Sequence, residues 1–121
     1  MHKGMKPLAQ RKCVPCEAGT PPMTREESEK YLAEVPGWEL VEQDGQLRIR
    51  KRYAVSNFDS AMEFANRIWK LAQEEDHHPV LLISYGRVRV DLVTHIINGL
   101  SENDFIMAVK INELSKVGEE S

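Results

Sequence analysis

A run with helical periodicity lies between two stretches of alternating residues, and this arrangement limits the folds that the chain can adopt. In residues 57–75, NFDSAMEFANRIWKLAQEE, apolar side chains recur at three- and four-residue steps, which is typical of an amphipathic helix. Its apolar face is predicted to comprise Phe58, Ala61, Met62, Ala65, Ile68, Trp69 and Ala72. On either side, residues 38–55 and 80–94 contain the alternation of period two that indicates β-strands.

Each alternating stretch predicts a β-hairpin. Asp44-Gly45 supplies a two-residue turn in the first one. In the second, a type II′ turn is predicted at Gly86-Arg87, because that turn has glycine at its first central position. The resulting register pairs Leu81 with Leu92, Ile83 with Val90 and Tyr85 with Val88 on one apolar face. Tyr85 is therefore predicted to be a core residue.

Capping signals predict two further helices. Thr24 with Glu27 three residues later forms a capping-box pattern, and Pro36-Gly37 ends that helix. Ser101 and Asp104 form a similar start before the last helix. The buried stripe of the last helix is predicted to comprise Phe105, Ala108, Val109 and Leu114. The element order α-β-β-α-β-β-α predicts an α+β fold, with three helices against a four-stranded antiparallel sheet.

Length and composition predict one folded domain over residues 24–121, preceded by an arm. Residues 1–23 hold four of the six prolines and show no strand or helix period, so we expect an extended or partly disordered segment. The net charge of −3 provides no basic surface for nucleic acid, and no apolar run approaches a membrane span. Without an apolar signal after the N-terminus, and with only two cysteines, a cytoplasmic location is expected.

Three of the four histidines surround the second hairpin. His77 and His78 precede its first strand, and His95 follows its second strand. Extending the predicted register by two residues places His78 opposite His95. Imidazoles suit proton transfer near neutral pH, and three of them can also bind zinc. Adjacent histidines on extended chain point apart, which argues mildly against a zinc site.

The two cysteines, Cys13 and Cys16, form a CxxC motif within the arm. A structural zinc site needs four ligands, and the chain has no second such pair. Two chains sharing a zinc ion, with His2 as a further ligand, is one alternative. The expectation is a mobile tail with two free thiols.

The histidine region resembles the signature of the pterin-4a-carbinolamine dehydratases. The matching elements are His77-His78-Pro79, Tyr85, Thr94-His95, Gly99-Leu100-Ser101, Asp104 and the Pro-Gly-Trp that ends at Trp38. The resemblance covers residues 24 to about 117, and the family's fold has the element order given above. Two positions depart from the family pattern: Gln73 stands where an acidic residue is usual, and Val80 follows the proline.

The resemblance implies a hydro-lyase, a 4a-hydroxytetrahydrobiopterin dehydratase without metal or cofactor that supports tetrahydrobiopterin recycling. It eliminates water from a 4a-hydroxytetrahydropterin and gives a quinonoid dihydropterin. His77 and His95 would transfer protons, with the acid and base roles open, while His78 would orient the pterin and share in the transfer. Pterin-contacting positions would be Pro79, Thr94, Asp104 and the backbone of Ile96 and Ile97. Trp38 is either an aromatic wall of the site or a core residue.

Three other functions stay open on the sequence alone. The chain could be a non-catalytic dimerisation or coactivator module, since some relatives of the family bind transcription factors. It could act on another pterin in molybdenum-cofactor metabolism, or it could be a three-histidine zinc enzyme. A homodimer or homotetramer is expected, formed through the apolar stripe of residues 58–72 or through exposed strand edges.

Overall fold

The computed structural model of this protein describes the backbone of residues 7–119 and the side chains of residues 7–115. Its helices and strands are α1 (Arg25–Leu32), β1 (Glu39–Gln43), β2 (Gln46–Ala54), α2 (Phe58–Glu75), β3 (Val80–Ser84), β4 (Arg87–Leu92) and α3 (Glu102–Glu119). Two short 3₁₀ turns, Leu8–Gln10 and His95–Ile97, complete the structure. The predicted order α-β-β-α-β-β-α and the α+β class are confirmed.

The four strands form one antiparallel sheet in the order β1-β2-β4-β3. Its first hairpin turns at Asp44-Gly45, as the sequence predicts. Both turn residues have positive φ, 54° at Asp44 and 78° at Gly45. A type I′ turn requires this conformation, which aspartate tolerates and glycine adopts without steric cost.

The second hairpin has a different register from the predicted one. Its two-residue loop is Tyr85-Gly86, so Leu81 pairs with Val90 and Ser84 with Arg87. Tyr85 is 70% exposed in this turn, and its prediction as a core residue is wrong. The shift moves each partner by two positions, which leaves the side chains of β3 and β4 on their predicted faces.

Helices and sheet enclose the core on the apolar face of the sheet. Helix α1 begins with the predicted capping box of Thr24 and Glu27. Helix α2 buries Ala61, Phe64, Ala65, Ile68 and Ala72. The predicted apolar face is only partly buried, because α2 directs Phe64 into the core and leaves Phe58, Met62 and Trp69 exposed.

The segment before α1 lies against the folded domain. Leu8 belongs to the hydrophobic core, and Arg11 forms an ion pair with Glu102 at the start of α3. At the other end of the segment, the N–H of Met23 donates to the carbonyl of Leu100 at 2.8 Å. The segment is therefore attached to the domain near both of its ends. Among residues 7–119, no helix is both long enough and apolar enough to cross a membrane.

Candidate active site

The end of α2 turns the chain back and places the two adjacent histidines. Asp76 caps the helix in the left-handed conformation, with φ 53° and ψ 43°. Aspartate visits this region more readily than most other residues with a side chain. The N–H groups of Asp76 and His77 both donate to the carbonyl of Ala72, the second at 3.2 Å. His77 is thereby held close to the last turn of α2.

A tight loop after β4 presents His95. The N–H of Thr94 donates to the carbonyl of Gly99 at 2.8 Å and closes this loop around the 3₁₀ turn. Gly99 has no room for a side chain, because a Cβ there would lie 2.5 Å from the Cβ of Pro22. The predicted strand pairing of His78 with His95 is wrong, since β3 begins at Val80 and β4 ends before this loop. The loop nevertheless brings His95 to the same cavity as His78.

A fully buried carboxylate holds His77. The Nε2 of His77 lies 2.7 Å from Oδ1 of Asp104. The other oxygen, Oδ2, accepts from the hydroxyl of Thr94 at 2.8 Å and from the N–H of Ser101 at 3.0 Å. Because the carboxylate can only accept, Nε2 of His77 carries the proton of this hydrogen bond. In the neutral imidazole, Nδ1 is then the basic nitrogen.

The other two histidines are exposed to solvent. The Nε2 of His78 lies 3.1 Å from Oε1 of Gln73, the residue at the position where the resemblance leads one to expect an acidic side chain. The ring of His95 makes no side-chain hydrogen bond within residues 7–115. Both rings therefore remain accessible to a bound molecule.

The three histidines line one cavity of about 290 Å³. This volume is just below the roughly 300–1,000 Å³ of typical small-molecule sites. The lining residues are Val14, Pro15, Cys16, Asp76, His77, His78, Val93, Thr94, His95, Ile96 and Asn103. A small, polar-rich cavity with three imidazoles is equipped for proton transfer on a compact ligand.

Four residues with predicted site roles do not line this cavity. Trp38 is a core residue whose indole N–H donates to Oδ1 of Asn112 at 3.1 Å. Ile97 is buried, and Pro79 is half-buried beside His78. Asp104 lies behind the cavity wall and hydrogen-bonds His77 and Thr94, both of which line the cavity.

Sequence reasoning missed the contribution of the N-terminal arm. Val14, Pro15 and Cys16 line the cavity, and Asn103 of α3 holds them there. The arm has no periodicity, and only periodic segments reveal from sequence which face they bury. Its prolines and cysteines were the single signal of an unusual segment, and they carry no information on where it docks.

A buried charge pair fixes the arm beside His77. The carboxylate of Glu75 accepts from the N–H of Cys13 at 2.8 Å and from Nζ of Lys110 at 2.7 Å. Burial by itself raises the pKa of Glu75, but the hydrogen bonds from Lys110 and Cys13 outweigh it and lower that pKa. Burial, followed by the negative charge of Glu75, raises the pKa of the Cys13 thiol to about 12.

The cysteines are both free thiols, as predicted. They are docked with the arm, because Cys13 Sγ contacts the carbonyl of Asn103 at 3.6 Å. Within residues 7–115, no three His, Cys, Asp or Glu side chains are grouped so that they could hold a metal ion. The alternative in which His2 joins a shared zinc site concerns a residue outside the described part of the chain.

Comparisons with known proteins agree on one family. Residues 21–114 match the family described as Pterin 4 alpha carbinolamine dehydratase. A Methylococcus capsulatus protein that carries this enzyme name provisionally is 45% identical over 108 residues, covering 89% of this chain and 93% of the relative. A Rickettsia canadensis protein with the same provisional name is 48% identical over 107 residues, covering 88% and 96%.

A solved structure gives the same result for the fold. The transcriptional coactivator/pterin dehydratase from Brucella melitensis superposes with a TM-score of 0.70 and 34% identity, covering 77% of this chain and 97% of that one. The family match over residues 21–114 includes all three histidines of the cavity. This chain therefore belongs to the pterin 4 alpha carbinolamine dehydratase family.

Proposed function

We propose that this protein dehydrates 4a-hydroxytetrahydropterin to quinonoid dihydropterin by histidine acid–base catalysis, and so supports recycling of tetrahydrobiopterin. The observation that carries the proposal is the convergence of His77, His78 and His95 on one cavity, with His77 held by the buried carboxylate of Asp104. Family membership supports the reaction class.

The reaction requires one proton to be added and one to be removed. The bond between C4a and the hydroxyl oxygen breaks as that oxygen is protonated, and water leaves. The N5–H bond breaks, and its electrons form the C4a=N5 double bond. Each positioned acid or base contributes about 10²–10⁴-fold to the rate.

His77 suits the role of the base that takes the N5 proton. Its Nε2–H donates to Asp104, which makes Nδ1 the basic nitrogen. The buried carboxylate also stabilises the imidazolium that forms after proton transfer, as an orienting carboxylate does in other histidine bases. Asp104 is thus a positioning residue that acts through His77.

His95 is then the acid for the leaving hydroxyl. Its exposed ring has no side-chain partner within residues 7–115, so it is available to hydrogen-bond the substrate. His78, held by Gln73, binds and orients the pterin. Thr94 supports this arrangement by hydrogen-bonding both Asp104 and Ser101.

The dehydration rate of 4a-hydroxytetrahydropterin, followed by ultraviolet absorbance, tests the proposal. The native protein is expected to accelerate the reaction, and His95→Ala is expected to reduce kcat by about 10²-fold or more. Tyr85→Ala is the matched control, because Tyr85 is an exposed ring at the opposite end of the hairpin. A native rate equal to the spontaneous rate would reject the dehydratase, and full activity of His95→Ala would reject the role of His95.

We further propose that copies of this chain associate as a homodimer or homotetramer. Phe58, Met62 and Trp69 lie at spacings of four and seven residues, so they form one exposed apolar stripe on α2. The outer strands β1 and β3 also leave one edge each without a partner strand in the described sheet. Exposed apolar stripes of this kind are typical of protein interfaces.

A further inference from the structure

The N-terminal arm forms one wall of the cavity that holds the three histidines. Val14, Pro15 and Cys16 line it together with the histidines and Ile96. Val14 is 64% exposed and Ile96 is also exposed, so both offer apolar surface that no protein group within residues 7–115 covers fully. The cavity therefore has imidazoles for the reacting atoms and separate apolar groups for another part of the ligand.

The side chain of Asn103 fixes this wall by hydrogen-bonding both the backbone N–H and the backbone carbonyl of Val14. The N–H of Val14 donates to Oδ1 of Asn103 at 3.0 Å, and Nδ2 of Asn103 donates to the carbonyl of Val14 at 2.5 Å. The same Nδ2 contacts Sγ of Cys16 at 3.6 Å. Asn103 is itself buried. A buried side chain that satisfies a donor and an acceptor of the same residue sets the position of that backbone segment.

Two neighbouring residues of α3 thus hold two separate parts of the site. Asn103 holds the arm, and Asp104 holds His77. A second attachment, from the N–H of Cys13 to Glu75, ties the arm to the last turn of α2. Helices α2 and α3 therefore fix the arm and the imidazole of His77 relative to each other.

We propose that Val14 and Pro15 contact the non-reacting part of the bound pterin, and that Asn103 is a positioning residue that holds them in place. This inference rests on the proposed dehydratase function. The histidines must face the C4a–N5 edge of the ring to transfer protons. The faces of the flat pyrimidine ring carry no hydrogen-bonding groups, so they pack best against apolar surface elsewhere in the cavity. Val14, Pro15 and Ile96 supply that surface.

Steady-state kinetics of Val14→Ser and Asn103→Ala test the inference. Val14→Ser removes apolar atoms while leaving the backbone hydrogen bonds to Asn103 in place, and it is expected to raise KM roughly threefold to tenfold. Asn103→Ala releases the segment and is expected to raise KM by about tenfold or more, with kcat changed by less than about threefold. Asn66→Ala, the same substitution at an exposed position of α2, is the matched control.

Two further measurements separate this role from a general loss of structure. The pH profile of kcat is expected to be unchanged in Asn103→Ala, because Asp104 and His77 keep their contact. Alkylation of Cys13 is expected to become faster, which reports release of the arm.

Faster alkylation with an unchanged KM would overturn the inference, and so would a shifted pH profile of kcat with an unchanged KM. A native protein without dehydratase activity would overturn the proposed function and this inference together, whereas an active native protein with unaltered variants would overturn this inference alone.

Discussion

Nε2 of His77 lies 2.7 Å from a carboxylate oxygen of Asp104, although a complete β-hairpin separates the two residues in the chain. The same carboxylate accepts a hydrogen bond from the N–H of Ser101, the residue that precedes α3. One buried group therefore both stabilises the start of a helix and orients an imidazole. The geometry of the site is a direct consequence of the way in which α3 begins.

We predict that Asp104→Asn reduces kcat by about 10²–10⁴-fold. Asparagine has nearly the same shape, but it lacks the negative charge that stabilises an imidazolium at His77. It also can donate a hydrogen bond, so it no longer imposes one tautomer on the ring. Steady-state kinetics over a range of pH measure the effect.

The control for this prediction is Asp59→Asn, an identical change at an exposed position in the first turn of α2. Urea unfolding of both variants measures any loss of stability, which we expect to be about 1 kcal/mol for the weakened helix start at Asp104. A fully folded Asp104→Asn variant with native kcat would show that the carboxylate has no part in the reaction.

Another buried carboxylate, Asp91, stabilises the open face of the sheet. It is fully buried and accepts from Arg50 at 2.8 Å and from Arg48 at 3.1 Å. We predict that Asp91→Asn lowers the free energy of unfolding at pH 7 by about 3 kcal/mol, because it leaves nearly buried guanidinium groups without their counter-charge. Urea unfolding measures the loss.

The exposed pair of Arg52 and Glu39 provides the comparison for Asp91. Its two side chains are about half exposed, so Glu39→Gln is expected to lower the free energy of unfolding by less than about 1 kcal/mol. Equal losses in the two variants would contradict the argument from burial.

The pH dependence of the Asp91 effect has a defined sign. Burial by itself raises the pKa of Asp91, but hydrogen bonds from Arg50 and Arg48 lower it below the usual 3.8. A carboxyl group with a lowered pKa in the folded state contributes its full stabilisation above its unfolded pKa. The difference between native protein and Asp91→Asn is therefore expected to be constant near pH 7 and to shrink as the pH falls below about 4. A difference that grows on acidification would show that the ion pair does not determine this pKa.

The element order and both sheet faces were predictable because periodicity records which side chains are buried. The register of the second hairpin was not, since turns at Gly86-Arg87 and at Tyr85-Gly86 place the same residues on the same faces. The sequence also did not predict that Trp69 is exposed, because the apolar residues of α2 extend beyond the face that the core covers. Pattern alone cannot distinguish a core side chain from one that another chain covers.

The three histidines were predictable as a cluster from their positions around one hairpin. Their partners were less so, because Gln73 and Asp104 reach the rings through the left-handed turn at Asp76 and the loop after β4. The contribution of the arm to the site could not be predicted, because an irregular segment docks through individual hydrogen bonds such as those of Asn103.

We predict that Cys13 resists alkylation in the folded protein. Burial, followed by the charge of Glu75, raises the pKa of its thiol from 9.0 to about 12. Because only the thiolate reacts, its rate with iodoacetamide at pH 8 is expected to be about 10³-fold below that of the same cysteine in urea-unfolded protein. Mass spectrometry of the modified peptide measures the rate, and equal rates in the folded and unfolded protein would contradict the docked position of the arm.

The last prediction concerns the exposed stripe of α2. Trp69 is 57% exposed and lies on the same face of the helix as Phe58 and Met62. We expect Trp69→Glu to shift the protein from an oligomer to a smaller species, because burying an unpaired carboxylate in an apolar contact is costly. Light scattering coupled to size-exclusion chromatography measures the mass, and Lys70→Glu, at the neighbouring exposed position, is the control. A native protein that is monomeric at all concentrations would reject self-association. An unchanged oligomer in Trp69→Glu would indicate that the interface lies at the strand edges and not at α2.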